Sequence, residues 1–162
     1  MSKTISEKLT YPHATIEQVV AMLGDAEFRE AVASYQRAVR SSADVRGTGA
    51  GSTARIEIVH GTDHVPSFAR KFVGDEISIV QDETWTTDTH ADVLVTIPGK
   101  PGDMTGTYDF AQVGDDVVES VVLTVKVSIP FVGGKVEELI AGLLAKAYRA
   151  ENEVGLTWLA DA

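Results

Sequence analysis

The chain has 162 residues, 44% of them hydrophobic and 23% charged, and no cysteine; that fits one domain held together by packing, and excludes wholesale disorder, a disulfide framework and a thiolate metal site. Its net charge of -10 is uneven, with 9 basic and 10 acidic side chains in residues 1–81 but 5 and 14 in residues 82–162. A surface of that sign repels phosphate, so neither nucleic acid nor an anionic bilayer is an expected partner.

Residues 3–11 alternate, with Ile5, Leu9 and Tyr11 in one phase, and read as a half-buried strand. After Pro12, Thr15 and Gln18 have the spacing of a capping box, and Ile16, Val19, Val20 and Leu23 keep the helical period up to Gly24. Asp25 can cap a second short helix, with Phe28, Val32 and Tyr35 as its apolar positions.

From about residue 38 to residue 129 the period becomes two, and glycine-rich and aspartate-rich turns cut the stretch into six strands. Their expected inward sets are Val39, Ala43 and Val45; Ala54, Ile56 and Ile58; Ile77, Ile79 and Trp85; Val93, Val95 and Ile97; Gly106, Tyr108 and Phe110; and alternate residues from Val117 to Ile129. Short turns imply antiparallel pairing, and residues 66–73 interrupt the strands as a short connection, helical or irregular. Between Gly134 and Leu159 one apolar stripe, including Leu139, Leu143, Leu144, Ala147 and Tyr148, predicts a single long helix with one buried face. Glu137 and Glu138 in its first turn are expected to complement the helix dipole. No apolar run reaches the length of a membrane span, and Met1–Glu7 lacks the apolar core of a signal peptide, so a single cytoplasmic domain over residues 1–162 is expected.

A strand, two short helices, six antiparallel strands and a closing helix make an α+β order that resembles the helix-grip fold of the START, birch-pollen-allergen-like and polyketide-cyclase-like proteins. More narrowly, Pro66–Gly74, Glu83-Thr84-Trp85 and Ile129–Lys135 resemble a START-like domain family, found mainly in actinobacteria, whose function is uncharacterised. The resemblance implies a curved seven-stranded sheet gripping the last helix, with a cavity between them.

Motifs for other chemistries fail on inspection. His60 and His64 flank a turn instead of sharing a helix face, and no third ligand is near in sequence, so no metal and no cofactor is expected. Gly133-Gly134-Lys135 lacks the earlier glycine and the following hydroxyl of a phosphate loop, Gly47, Gly49 and Gly51 precede a strand where a dinucleotide fingerprint precedes a helix, and there is no nucleophile elbow.

More informative are the polar residues in inward strand phases: Ser41, His60, Gln81, Glu83 and Glu119. Such positions mean a bulge, an internal partner, or a wet or ligand-filled cavity. Arg70-Lys71, the one adjacent basic pair, is either a solvated pair beside anchoring Phe68 and Phe72 or a cationic lip for a ligand carboxylate. The expected cavity set is therefore His60, Arg70, Glu83, Trp85, Tyr108, Glu119, Leu143 and Ala147. Glu83 in an inward phase should have its pKa raised by desolvation unless a cation such as Arg70 or His60 pairs with it. Three functions fit: binding of an apolar small molecule, a cyclase-type or dehydratase-type enzyme using His60 or Glu83 as acid and base, and a protein-interaction domain with a filled core.

Overall fold

A computed structural model of the protein describes residues 2–161. The element order is β1 (Lys3–Tyr11), α1 (Ile16–Leu23), α2 (Ala26–Tyr35), β2 (Arg40–Arg46), β3 (Thr53–Gly61), α3 (Ser67–Val73), β4 (Glu76–Thr87), β5 (His90–Thr96), β6 (Asp103–Val113), β7 (Asp116–Lys126) and α4 (Gly133–Ala160). One antiparallel sheet of seven strands runs β1-β7-β6-β5-β4-β3-β2. Consecutive strands from β2 to β7 are neighbours, joined by short loops except between β3 and β4, where residues 62–75 with α3 intervene, while β1 closes against β7. The sheet curves around α4, and the fold is the helix-grip fold.

The local signals act as their chemistry requires. Thr15 accepts the Gln18 N–H while the Gln18 side chain accepts the Thr15 N–H, and the Asp25 carboxylate accepts the Glu27 N–H at 2.9 Å. Neither helix is long enough to be stable alone, so each depends on its buried side: Val19, Val20, Met22 and Leu23 in α1, and Phe28, Val32 and Ala33 in α2. Gly106 is a point of close approach between β6 and β7, where a Cβ would stand 1.9 Å from the Val122 carbonyl oxygen. Gly155 does the same for α4, since a Cβ there would meet the Tyr11 ring at 2.7 Å.

Four expectations need correction. Tyr35 and Val39 are exposed, at 55% and 56%, and Ser41 is exposed as well. They lie where α2 ends and β2 forms the sheet edge, so nothing beyond them covers that phase. β7 ends at Lys126, three residues short of Ile129. Glu137 does not serve the helix dipole: the helix starts four residues earlier, and the buried Glu137 carboxylate accepts the Val127 N–H at 2.7 Å, tying α4 to the end of β7. Finally, Leu144 is buried but Leu143 is only half-buried.

That last difference is testable. Leu144→Asp should cost several kcal/mol, comparable to the ~5–15 kcal/mol total stability of a domain, and leave the chain molten or unfolded. Leu143→Asp should cost clearly less in a urea titration. Equal losses would mean that α4 presents a different face to the sheet.

Candidate functional site

The inward phase of β4 carries Glu83 into the interior, where it is 1% exposed. Its partner is a residue that strand periodicity does not reveal, Arg29 of α2, 3% exposed. Arg29 Nη1 donates to Glu83 Oε2 at 2.8 Å and Nη2 donates to Oε1 at 2.7 Å, while its Nε donates to the Leu23 carbonyl at 2.8 Å. Gln81 Nε2 and Trp85 Nε1, each two residues away on the same face of β4, donate to the remaining carboxylate positions at 2.7 and 3.1 Å. Glu83 thus accepts four hydrogen bonds, which is what a buried carboxylate requires. The Tyr148 hydroxyl of α4 donates to Gln81 Oε1 at 3.1 Å, joining the helix to this network.

Two further buried carboxyls face the same region. Glu151 of α4 lies 3.6 Å from Arg29, and Glu119 of β7 meets the Tyr11 hydroxyl at 3.5 Å. Glu119 Oε2, Glu151 Oε1 and the Tyr108 hydroxyl have no hydrogen-bond partner among the described residues. Arg29 is already committed to Glu83, so one cation stands among three carboxyls. Burial, reinforced by the charges of Glu151 and Glu83, pushes Glu119 well above the ordinary carboxylate range. Burial pushes Glu151 up to about 7, with Arg29 opposing and Glu83 adding to the rise.

Beside this network a hollow of about 480 Å³ lies between α2, α3, the strands β3 and β4, and α4. Its walls are mainly aliphatic; Ile58, Ile79, Leu139 and Leu143 stay only partly buried because they face it. Exposed Tyr35, Arg37, His64 and Lys146 border it, and Arg29, Gln81, Tyr148 and Glu151 form its polar end.

Of the eight residues expected around a cavity, His60, Leu143 and Ala147 line this one. Burial, and then the neighbouring His64, push His60 below its ordinary range, so it is mostly neutral at pH 7. Glu83, Trp85, Tyr108 and Glu119 are buried as expected but lie behind the hollow, in the packed interior. Trp85 stacks on Phe110 at 5.5 Å, and Tyr108 meets Tyr148 edge to face at 5.6 Å. Arg70 is exposed, and its guanidinium donates to the Asp63 and Val65 carbonyls, holding the turn before α3; it is not among the residues around the hollow. The cation beside Glu83 is therefore neither Arg70 nor His60.

Both missed residues left a trace in the sequence. In α2 the buried positions are Phe28, Arg29, Val32 and Ala33, so Arg29 falls inside the stripe once Tyr35 is dropped from it. In α4, Glu151 follows Leu144 by seven residues and Tyr148 by three, and so sits on the buried stripe.

Two outcomes follow. Glu83→Gln should lower stability by about 3–5 kcal/mol, because it strands Arg29, and replacing both residues by apolar ones should restore much of the loss. A neutral effect of Glu83→Gln would show that Arg29 finds another acceptor. The pH dependence has the opposite sign to ordinary acid denaturation. Glu119 and Glu151 bind protons more tightly when folded, so their contribution is fully present below the unfolded value of 4.5 and is lost as pH rises, for Glu151 through about 7. The melting temperature should fall between about pH 5 and about pH 8, and Glu151→Gln should remove up to ~3 kcal/mol of that decline. A wild-type decline that Glu151→Gln leaves intact would remove Glu151 from it.

No helix among the described residues is long and apolar enough to cross a membrane. Comparison with solved structures returns the same architecture at low identity. TTHA0849 from Thermus thermophilus is 18% identical with a TM-score of 0.66, over 96% of this chain and 98% of that one. The Zhui aromatase/cyclase from Streptomyces sp. R1128 is 9% identical with a TM-score of 0.63, over 97% and 93%. Norcoclaurine synthase from Thalictrum flavum is 14% identical with a TM-score of 0.63, over 100% and 88%. At such identities the likeness establishes the fold alone. No curated protein matches the chain. Residues 6–159 match the profile of one family, described as "Protein of unknown function (DUF2505)", and since the match spans almost the entire sequence, the chain belongs to that family.

Proposed function

We propose that the hollow between the sheet and α4 binds an apolar small molecule of the lipid, isoprenoid or polyketide-like kind, with residues 1–162 acting as one cytoplasmic domain. The observation that carries this reading is the hollow itself. A protein interior is packed as densely as an organic crystal, with few voids larger than a water molecule. A space of about 480 Å³ walled by partly buried isoleucine and leucine side chains departs from that rule. Its volume lies within the range of small-molecule sites, as does its make-up of apolar walls with a few polar groups at one end. Covering Ile58, Ile79, Leu139 and Leu143 with an apolar ligand would remove their remaining surface from water, a gain of roughly 25 cal/mol per Å².

The interaction-domain reading needs a filled core, which the hollow disfavours. The enzyme reading draws support from relatives of the same fold whose names are aromatase/cyclase and synthase. Here, however, Glu83 is saturated by four donors, which leaves His60 as the only one of its two expected acid–base groups on the cavity wall.

An environment-sensitive apolar dye should bind saturably near one to one and be displaced by long-chain or polycyclic compounds. Ala147→Trp, which fills the hollow from α4, should weaken the dye more than about ten-fold, a change of ~1.4 kcal/mol, without lowering the melting temperature appreciably. Absence of saturable binding by the folded wild-type protein would overturn the proposal.

A further inference from the structure

Three buried polar atoms lack a hydrogen-bond partner among the described residues, and only one of them belongs to a residue that lines the hollow: Oε1 of Glu151. The other polar groups at that end are occupied with one another. Arg29 is bound to Glu83 and the Leu23 carbonyl, Gln81 donates to Glu83, and Tyr148 donates to Gln81. Glu151 itself is 6% exposed, too buried to be satisfied by bulk solvent. Oε1 is closed off from the hollow as well as from solvent, so a ligand meets the carboxyl at Oε2, which makes no hydrogen bond among the described residues and stands 3.6 Å from Arg29; a polar group without a partner costs free energy, and a ligand atom that pairs with it recovers it.

Building on the cavity reading, we propose that Glu151 is a ligand-recognition residue, and that the bound molecule is an apolar compound whose buried end carries a carbonyl-type oxygen that accepts a hydrogen bond from the Glu151 carboxyl. The surroundings select this chemistry over the other two classes of polar end. A cationic end would meet the Arg29 guanidinium, which lies 3.6 Å from Glu151. An anionic end would join a buried region that already holds Glu83, Glu119 and Glu151 around one cation. A neutral acceptor adds no charge and needs only a donor, which the carboxyl provides while it keeps its proton. Burial favours that state, Arg29 opposes it and Glu83 supports it, so that protonated and ionised forms coexist near neutral pH. The groups that face Glu151 from the packed elements are Arg29 of α2, Glu83 of β4, Glu119 of β7, Tyr11 of β1, Tyr108 of β6 and Tyr148 of α4 itself. Arg29 and the three tyrosines keep their protonation through the neutral range, Glu119 shares the upward shift, and His60 titrates on the cavity wall.

The test compares four naphthalene derivatives of similar size by calorimetry or fluorescence: acetylnaphthalene, isopropylnaphthalene, naphthoate and naphthylmethylamine. In the wild type the ketone should bind roughly ten-fold tighter than the hydrocarbon, the size of one well-placed hydrogen bond. Glu151→Leu should abolish that preference while still binding the hydrocarbon. Glu151→Gln, which retains a donor, should keep the preference and lose its pH dependence. In the wild type the ketone's advantage should shrink from about pH 6 to about pH 8 as the carboxyl ionises. If Glu151→Leu does not fold, the Gln variant and the pH course decide alone. Equal binding of ketone and hydrocarbon, a preference for the acid or the amine, or a ketone preference that survives in Glu151→Leu would overturn the role of Glu151 while leaving the cavity reading intact. Failure of all four to bind would overturn both.

Discussion

Arg29 is the one buried basic side chain among the described residues, and the arrangement of the interior depends on where its charge goes. Removing a guanidinium from water costs several kcal/mol unless ionised and hydrogen-bonded partners replace the lost hydration. Glu83 provides the carboxylate in a two-point pairing, the Leu23 carbonyl takes Nε, and Glu151 approaches from α4. Three elements that are far apart in sequence, α2, β4 and α4, are thereby held to one geometry. A hydrophobic contact in the same place would tolerate sliding, whereas a forked ion pair does not.

Once Arg29 is paired, the other carboxyls in the region have no cation of their own. Glu119 and Glu151 keep their protons more firmly than exposed acids do, because ionising them would put uncompensated charge in the interior. The result is a division within the molecule. Behind the polar network the core is close-packed, with Trp85 on Phe110, Tyr108 against Tyr148 and Phe28 against Trp158. On its other side lies the hollow with its aliphatic walls. Arg29, Gln81, Tyr148 and Glu151 of that network form the polar end of the hollow.

Much of the fold was legible from periodicity and turn chemistry. The capping box at Thr15, the cap at Asp25, the alternation through β3 to β7 and the stripe along α4 are local signals, and the structure contains each of them, with β7 ending early at Lys126 and Leu143 at the margin of the stripe. The inward orientation of Glu83 and Glu119 was legible for the same reason, since a strand without a bulge cannot change the side on which alternate residues fall. Tyr35, Val39 and Ser41 misled because burial at a sheet edge depends on what covers the edge, and periodicity carries no information about that.

The amino-acid sequence by itself determined the strands, the helices α1, α2 and α4, the antiparallel order and which side of each strand is turned inward, because those properties follow from backbone geometry and the spacing of side chains a few residues apart. Only the tertiary structure decided the partners. Arg29 and Glu83 are 54 residues apart, and Tyr148 and Gln81 are 67 apart. No local rule relates such positions; they meet because α2 and α4 pack on the same curved sheet. The tertiary structure likewise decided that Glu83 and Glu119 lie behind the hollow while His60 and Glu151 border it. An inward phase says only that a side chain leaves solvent, and whether it then meets another side chain or an open space depends on how completely the helices above it fill the curve of the sheet.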